Sequence, residues 1–278
     1  MRIAQISDTH FGTERAEVVA ALSKALHGLA PDVILLCGDI TQRARRRQFD
    51  AAKRFMDALP GDAQRLVIPG NHDLPVFDLL SRVLRPYAGY TRAFGARESL
   101  WHAEGVAILA LDATHPKRRK DGALPPAHLR ERLAVAREAC GEQGWLVVAA
   151  HQPLWTAWGE DKDQTLIDRH ESARLLAEAR ADVVLSGHVH VPLIATSAAS
   201  DPQLAWRFVM SGSGTAVSRR TRPGAPNSFN LLTLDERADA PLHVTRHDYG
   251  KGGFAIVHNA QFRRVNGTGW EAATQPAR

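Results

Sequence analysis

Asp8-x-His10, Gly38-Asp39, Gly70-Asn71-His72-Asp73, His151 and Gly187-His188-x-His190 group the residue types that ligate metals or move protons. A carboxylate can bridge two cations, an imidazole is a neutral borderline ligand, and an Asn carbonyl adds oxygen without charge. Such a mixture suits two transition metals better than calcium alone. Asp39 is the candidate bridge. The N/O donor set admits iron, manganese or zinc, and the lack of a Cys ligand argues against a closed structural zinc site. Two such ions roughly 3.5–4 Å apart can lower the pKa of a shared water, polarise phosphoryl oxygens and align an in-line attack. His72 cannot easily ligate the same ion as its neighbour Asn71, so it is free to assist a leaving group. Asp73 either orients His72 or caps a turn. Taken singly, an Asp-x-His or His-x-His is more often a turn or a surface pair.

Position along the chain turns these fragments into one site. β-like runs at Arg2 to Ser7, Asp32 to Cys37 and Arg65 to Pro69 alternate with helix-like stretches at Glu14 to Leu29 and Arg45 to Leu59, the pattern of βαβ units. Runs at Val106 to Leu111, Trp145 to Ala150 and Asp182 to Ser186 continue it, with helices expected at Pro126 to Cys140 and His170 to Arg180. The candidate ligands follow five of these runs. In open α/β sheets, ligands bind outside the carboxyl ends of strands, so the five ends are expected at one edge.

Beyond Trp206 the pattern changes to strands at Trp206 to Met210, Phe229 to Asp235 and Leu242 to Tyr249, joined by Gly/Pro/Ser-rich turns. Antiparallel strands completing a second sheet are the expectation. Residues 1–250 read as one domain, and 251–278, with two Gly pairs and little periodicity, as a tail without firm elements, mobile or packed on a partner subunit.

Composition sets broad bounds. The 278 residues, 44% hydrophobic and 23% charged, suit an ordinary globular chain. No apolar run is long enough to span a membrane, and the metal-binding types begin within ten residues of Met1. A cytoplasmic location is therefore expected. Cys37 and Cys140 are too few for a disulfide framework and read as structural thiols. The net charge of +5 fits an anionic substrate or nucleic acid, but it is a small difference between 35 basic and 30 acidic residues.

The motif series is similar to that of the calcineurin-like metallophosphoesterases over residues 1 to about 190. The resemblance implies a four-layer α/β/β/α sandwich of two mixed β-sheets flanked by helices. It further implies one metal on Asp8, His10, Asp39 and His190, a second on Asp39, Asn71, His151 and His188, and His72 as the acid. A homodimer through the last third is compatible with it. Gly38-Asp39-Ile40-Thr41-Gln42-Arg43-Ala44 departs from the Gly-Asp-x-x-Asp-Arg-Gly of protein Ser/Thr phosphatases, and Asp73 stands where they have Glu.

The early Asp-x-His, Gly-Asn-His-Asp and His151-Gln152-Pro153 resemble bacterial class III cyclic-nucleotide phosphodiesterases, with Gln152 in place of the common second His. The expected activity is hydrolysis of a small phosphodiester such as a 3′,5′-cyclic nucleotide. A nuclease or a phosphomonoesterase on the same metals is the alternative, and a non-catalytic module is disfavoured because no ligand is missing. Arg43 is the candidate substrate-binding cation, since it closely follows a ligand loop. Arg45 to Arg47, Lys117 to Lys120, and Arg219, Arg220 and Arg222 could draw in an anion or simply be solvated. Trp155 and Trp158 could stack a base or pack inward.

Overall fold

The computed structural model describes residues 1–76, 78–235 and 240–273. Strands β1 (Arg2–Ile6), β2 (Val33–Cys37) and β3 (Gln64–Ile68) are parallel and linked by helices α1 (Ala16–Leu29) and α2 (Arg46–Asp57). The all-apolar Val33-Ile34-Leu35-Leu36-Cys37 forms a strand because both its faces are covered, as parallel sheets require. Two short helices, α3 (Leu79–Leu84) and α4 (Ala88–Phe94), lead to β4 (Ser99–Ala103) and β5 (Val106–Leu111). Helix α5 (Pro126–Cys140), β6 (Trp145–Ala150), α6 (Arg169–Glu178) and β7 (Val183–Ser186) follow. The chain then forms β8 (Leu193–Thr196), β9 (Val209–Gly212), β10 (Ser228–Thr233), β11 (Leu242–Gly250), β12 (Gly253–Val265) and β13 (Gly269–Ala272).

These strands build two mixed sheets. One is ordered β13-β12-β11-β10-β1-β2-β3, with β10 antiparallel to β1, and the other β4-β5-β6-β7-β9-β8, parallel except at its two edge strands. Their facing sides share a core that includes Ile3, Leu35, Ile68, Ile108, Val147 and Leu185. The outer face of the first sheet packs on α1 and α2 through Leu22, Leu26, Phe49 and Phe55; that of the second packs on α5 and α6 through Leu129, Leu133, Leu175 and Leu176. The architecture is the expected four-layer sandwich. No described helix is long and apolar enough to cross a membrane.

A buried polar junction locks the sheets together. Gln5 of β1 donates to the carbonyls of Ser186 and Ser211 at 2.8 Å and accepts from Ser211 Oγ at 2.6 Å. Asn230 of β10 donates to the same hydroxyl at 2.9 Å. Satisfied networks of this kind fix register, because any slip strands a buried donor.

Residues 251–278 require correction: their described part, to residue 273, is not a tail but continues the first sheet as β12 and β13. Residues 274–278 lie outside the described residues. The two strands have little apolar periodicity because they attach through isolated anchors. Trp270 is fully buried and stacks on Trp145 of the other sheet, centroids 5.0 Å apart. Asp182, just before β7, accepts from Trp270 Nε1 at 3.0 Å and from Arg264 at 2.6 Å. Truncating a buried Trp costs about 3–5 kcal/mol. Trp270→Ala is therefore expected to lower the unfolding midpoint in urea by a matching amount; an unchanged midpoint would mean that the C-terminal strands carry no stability.

Candidate metal centre

Five parallel strands end at one edge and deliver the candidate donors. β1 leads into Asp8 and His10, β2 into Asp39, β3 into Asn71 and His72, β6 into His151, and β7 into His188 and His190. The turns after β1, β2 and β7 are sharp. Asp8, His10, Asp39, His188 and His190 all have positive φ, between 41° and 74°. Left-handed backbone costs an L-residue on the order of 1–2 kcal/mol, and Asp and His are among the side chains that tolerate it.

The strained turns hold each other in place: Asp8 N donates to Gly38 O, His10 N to Asp39 O, and Gly187 N to His151 O, at 2.9–3.1 Å. Gly187 must be glycine, since a Cβ there would run into Ser7 Oγ and lie 2.5 Å from Asp8 Oδ2.

The side chains form two donor groups that share Asp39. One comprises Asp8, His10, Asp39 and His190, the other Asp39, His151 and His188, and all six residues are buried. His10 Nε2 is 3.6 Å from Asp39 Oδ2, whereas His151 Nε2 is 3.3 Å from Asp39 Oδ1, so the two carboxylate oxygens face different groups. His190 Nε2 lies 3.2 Å from Asp8 Oδ1 and 3.0 Å from His10 Nε2. Asn71 Oδ1, Asp8 Oδ1, His151 Nε2 and both nitrogens of His188 are buried without a hydrogen-bond partner. Buried polar atoms are rarely left unsatisfied, and here the orphans converge; this donor set fits a pair of cations.

Groups behind the donors orient them. Asp8 Oδ2 accepts from Ser7 Oγ at 2.6 Å and His188 N at 2.9 Å, leaving Oδ1 inward. His151 Nδ1 donates to Cys37 O at 2.7 Å and His190 Nδ1 to Arg220 O at 2.6 Å, which leaves Nε2 of each as the atom that could ligate a cation. Burial lowers His10 and His188 to about 3, so both are neutral and ready to bind. His151 is pushed the other way, to about 9: burial opposes its charge, but Asp39 and Asp8 outweigh that cost. His190 is raised for the same reason, chiefly by Asp8.

Asp73 does not touch His72. Its carboxylate accepts from the amides of Gly70, Ile40 and Thr41 at 2.8–3.1 Å and so pins the β2 and β3 loops together. Burial and the neighbouring Asp39 raise it to about 6. His72 is instead held by its own Nδ1 donating to Gln42 O at 2.9 Å, with its ring 4.9 Å from that of His10.

The model of the family described as "Calcineurin-like phosphoesterase" matches residues 1–192, more than half of the chain. The chain belongs to that family. Among curated proteins, purple acid phosphatase 23 of Arabidopsis thaliana is 29% identical over 154 residues, covering 51% of this chain and 32% of the relative; the chain thus aligns with about a third of that protein. Two solved structures share the fold at 12% identity and TM-score 0.64. One is a purple acid phosphatase from yellow lupin (Lupinus luteus) seeds, with 92% of this chain and 52% of that one covered. The other is a dimetal phosphatase from Danio rerio, with 94% and 98% covered.

On this calcineurin-like frame, the donor edge opens into a cleft of about 700 Å³ lined by Asn71, His72, Gln42, Arg43 and the whole run Lys117-Arg118-Arg119-Lys120. The basic run was visible in the sequence, but not its place beside Arg43. It is brought there by Arg82, which donates to the carbonyls of Pro116 and Arg118 at 2.7 and 2.6 Å, and by Gln152, which donates to Lys120 O at 3.1 Å. Gln152 thus supports the wall of the cleft rather than joining the donors.

Other candidates point elsewhere. Arg222 pairs with Asp161 at 2.7 Å and covers Trp158. Trp155 packs against the core beneath α5 and α6.

Cations that bind only the folded chain stabilise it by about 2.7 kcal/mol at a hundredfold excess over Kd. Manganese added to metal-free protein should raise the melting temperature, with a smaller rise in Asp39→Asn; identical melts with and without metal would rule out the centre. His151 must shed its proton to bind, so apparent affinity should increase between about pH 6 and 8, with proton release measurable by calorimetry in two buffers.

Proposed function

We propose that this chain hydrolyses a small phosphodiester, with a 3′,5′-cyclic nucleotide the first candidate. The observation that carries the reading is the pair of donor groups sharing Asp39, packed on His72 through Asp39 and His10, beside a cleft that Asn71 and His72 line together with several cationic side chains. Asp8, His10, Asp39 and His190 would hold one transition cation, and Asp39, Asn71, His151 and His188 the other. Manganese, iron and zinc all suit these donors. When bound, such a pair supplies positive charge for a phosphoryl group and acidifies water.

The chain's own residues do the remaining work. Arg43 and the Lys117 to Lys120 run draw in the anion and orient its oxygens. His72, anchored through Nδ1 on Gln42 O, lines the cleft, where its ring can hand a proton to the departing oxygen. Asp73 acts indirectly, by keeping the Asp39 and His72 loops in register.

Monoester hydrolysis is the second reading, favoured by the names of the relatives, which are phosphatases. A panel of cyclic AMP, a glycerophosphodiester, bis-p-nitrophenyl phosphate and p-nitrophenyl phosphate, run after manganese reconstitution, separates the two. Diester turnover is expected, and fast monoester turnover with inert diesters would transfer the assignment to the phosphatases. His72→Ala should lower kcat by about 10²–10⁴-fold while metal stoichiometry stays the same. Arg43→Ala should act mainly on KM.

A further inference from the structure

Helix α3 is built inside out. At about 100° per residue, Leu79, Leu80, Val83 and Leu84 fall on one arc of about 140°, with Ser81 and Arg82 on the opposite side. In an ordinary surface helix the apolar arc would face the core. Here Leu79, Leu80, Val83 and Leu84 are 70, 71, 78 and 67% exposed, while Ser81 and Arg82 are half-buried. Single exposed leucines are common, but four on one helical turn and a half form a patch that calls for an apolar partner. The polar face is tied down by specific bonds. Ser81 N and Oγ donate to Asp78 at 2.9 and 2.6 Å, and Arg82 spends its guanidinium on the carbonyls of Pro75, Pro116 and Arg118. The fold therefore fixes the helix with its leucines outward.

Cationic groups flank this helix on both sides. On one side, Arg82 lashes it to the loop whose Lys117, Arg118, Arg119 and Lys120 line the metal cleft. On the other, a groove of about 490 Å³ between α3 and α4 is lined by Arg45, Arg46, Arg85 and Arg92. Acids nearby include Asp78, engaged with Ser81; Asp50, 3.9 Å from Arg46; and Asp121 at the cleft wall.

We propose that α3 and the basic loop 117–120 form a docking face for an anionic membrane surface, with the leucines entering the acyl boundary and the cations meeting lipid headgroups. Convex apolar side chains ringed by Lys and Arg are the chemistry of interfacial binding. A fluid surface accommodates protruding leucines that a rigid protein partner would need matching pockets to receive. Nucleic acid would account for the cations but not for the leucines, and among the described residues the cleft lining offers no Phe, Tyr or Trp on which bases could stack. Docking on this face places the cleft against the surface, within reach of phosphoesters carried there. The proposal concerns binding and stands whichever phosphoester the centre hydrolyses.

The test is co-sedimentation of the full chain with vesicles of phosphatidylcholine alone or mixed with phosphatidylglycerol. Binding to the mixed vesicles, weakened by salt and absent from the neutral ones, is expected. Leu80→Asp combined with Leu84→Asp should lower partitioning at least about tenfold and leave both the melting temperature and the hydrolysis of a soluble ester unchanged. Lys117→Gln combined with Arg119→Gln should weaken it about fivefold for each charge removed. Failure to bind either vesicle overturns the proposal, as does anionic binding that is indifferent to the leucine substitutions. Two further results assign the face to another partner and overturn it equally: a dimer in light scattering that the leucine substitutions dissociate, or retention of single-stranded oligonucleotide without vesicle binding.

Discussion

Asp8 and Asp39 are carboxylates taken wholly out of water at the meeting point of two sheets. An ion buried without compensation costs several kcal/mol, so the surroundings must answer these two charges. The chain's own groups do so partly through His151 and His190, which these carboxylates keep basic, and partly with the hydroxyl of Ser7 and the amides of His72 and His188. Bound cations would answer them more fully. The neutral imidazoles of His10 and His188, which have little to gain from a buried proton, then become ligands at no protonation cost.

That requirement explains the backbone. Donors from five strand ends can converge on so small a volume only if the chain turns soon after leaving its sheet, and after β1, β2 and β7 the left-handed residues Asp8, His10, Asp39, His188 and His190 make those turns. Local strain of this kind persists only where neighbours over-determine it. Here the loops hydrogen-bond to one another across the sheet edge, Asp73 binds three amides at once, and Gln5 with Asn230 holds the sheets in register beneath. Affinity for metal and rigidity of fold are thus two aspects of one arrangement.

Much of this was legible in the chain. Val33 to Cys37 and Trp145 to Ala150 are buried on both faces, and uninterrupted apolar runs followed by Gly-Asp or His are what such strands must look like. The donors could be read because their positions depend on strand ends alone. Residues whose placement depends on tertiary ties could not. Lys117 to Lys120 are held at the cleft by Arg82 and Gln152, which lie far away in sequence. β12 and β13 bury lone anchors such as Phe262 and Trp270 instead of an alternating face. For α3 the apolar spacing is the same whether the leucines face inward or outward, and only the bonds of Ser81 and Arg82 decide between them.

Asp182 gives the order of strands a consequence for modularity. The family match ends at residue 192, as if everything chemical were encoded before that point and the remainder were an appendix. Yet the carboxylate of Asp182, only six residues before His188, is completed by Arg264 and Trp270, and Gln5, three residues before Asp8, by Ser211 and Asn230. A gene cut at the motif boundary would keep every donor and lose the groups that neutralise the strands bearing them. The inheritable unit is therefore larger than its recognisable part, and exchange of the C-terminal strands between relatives would succeed only if these long-range partners travelled together.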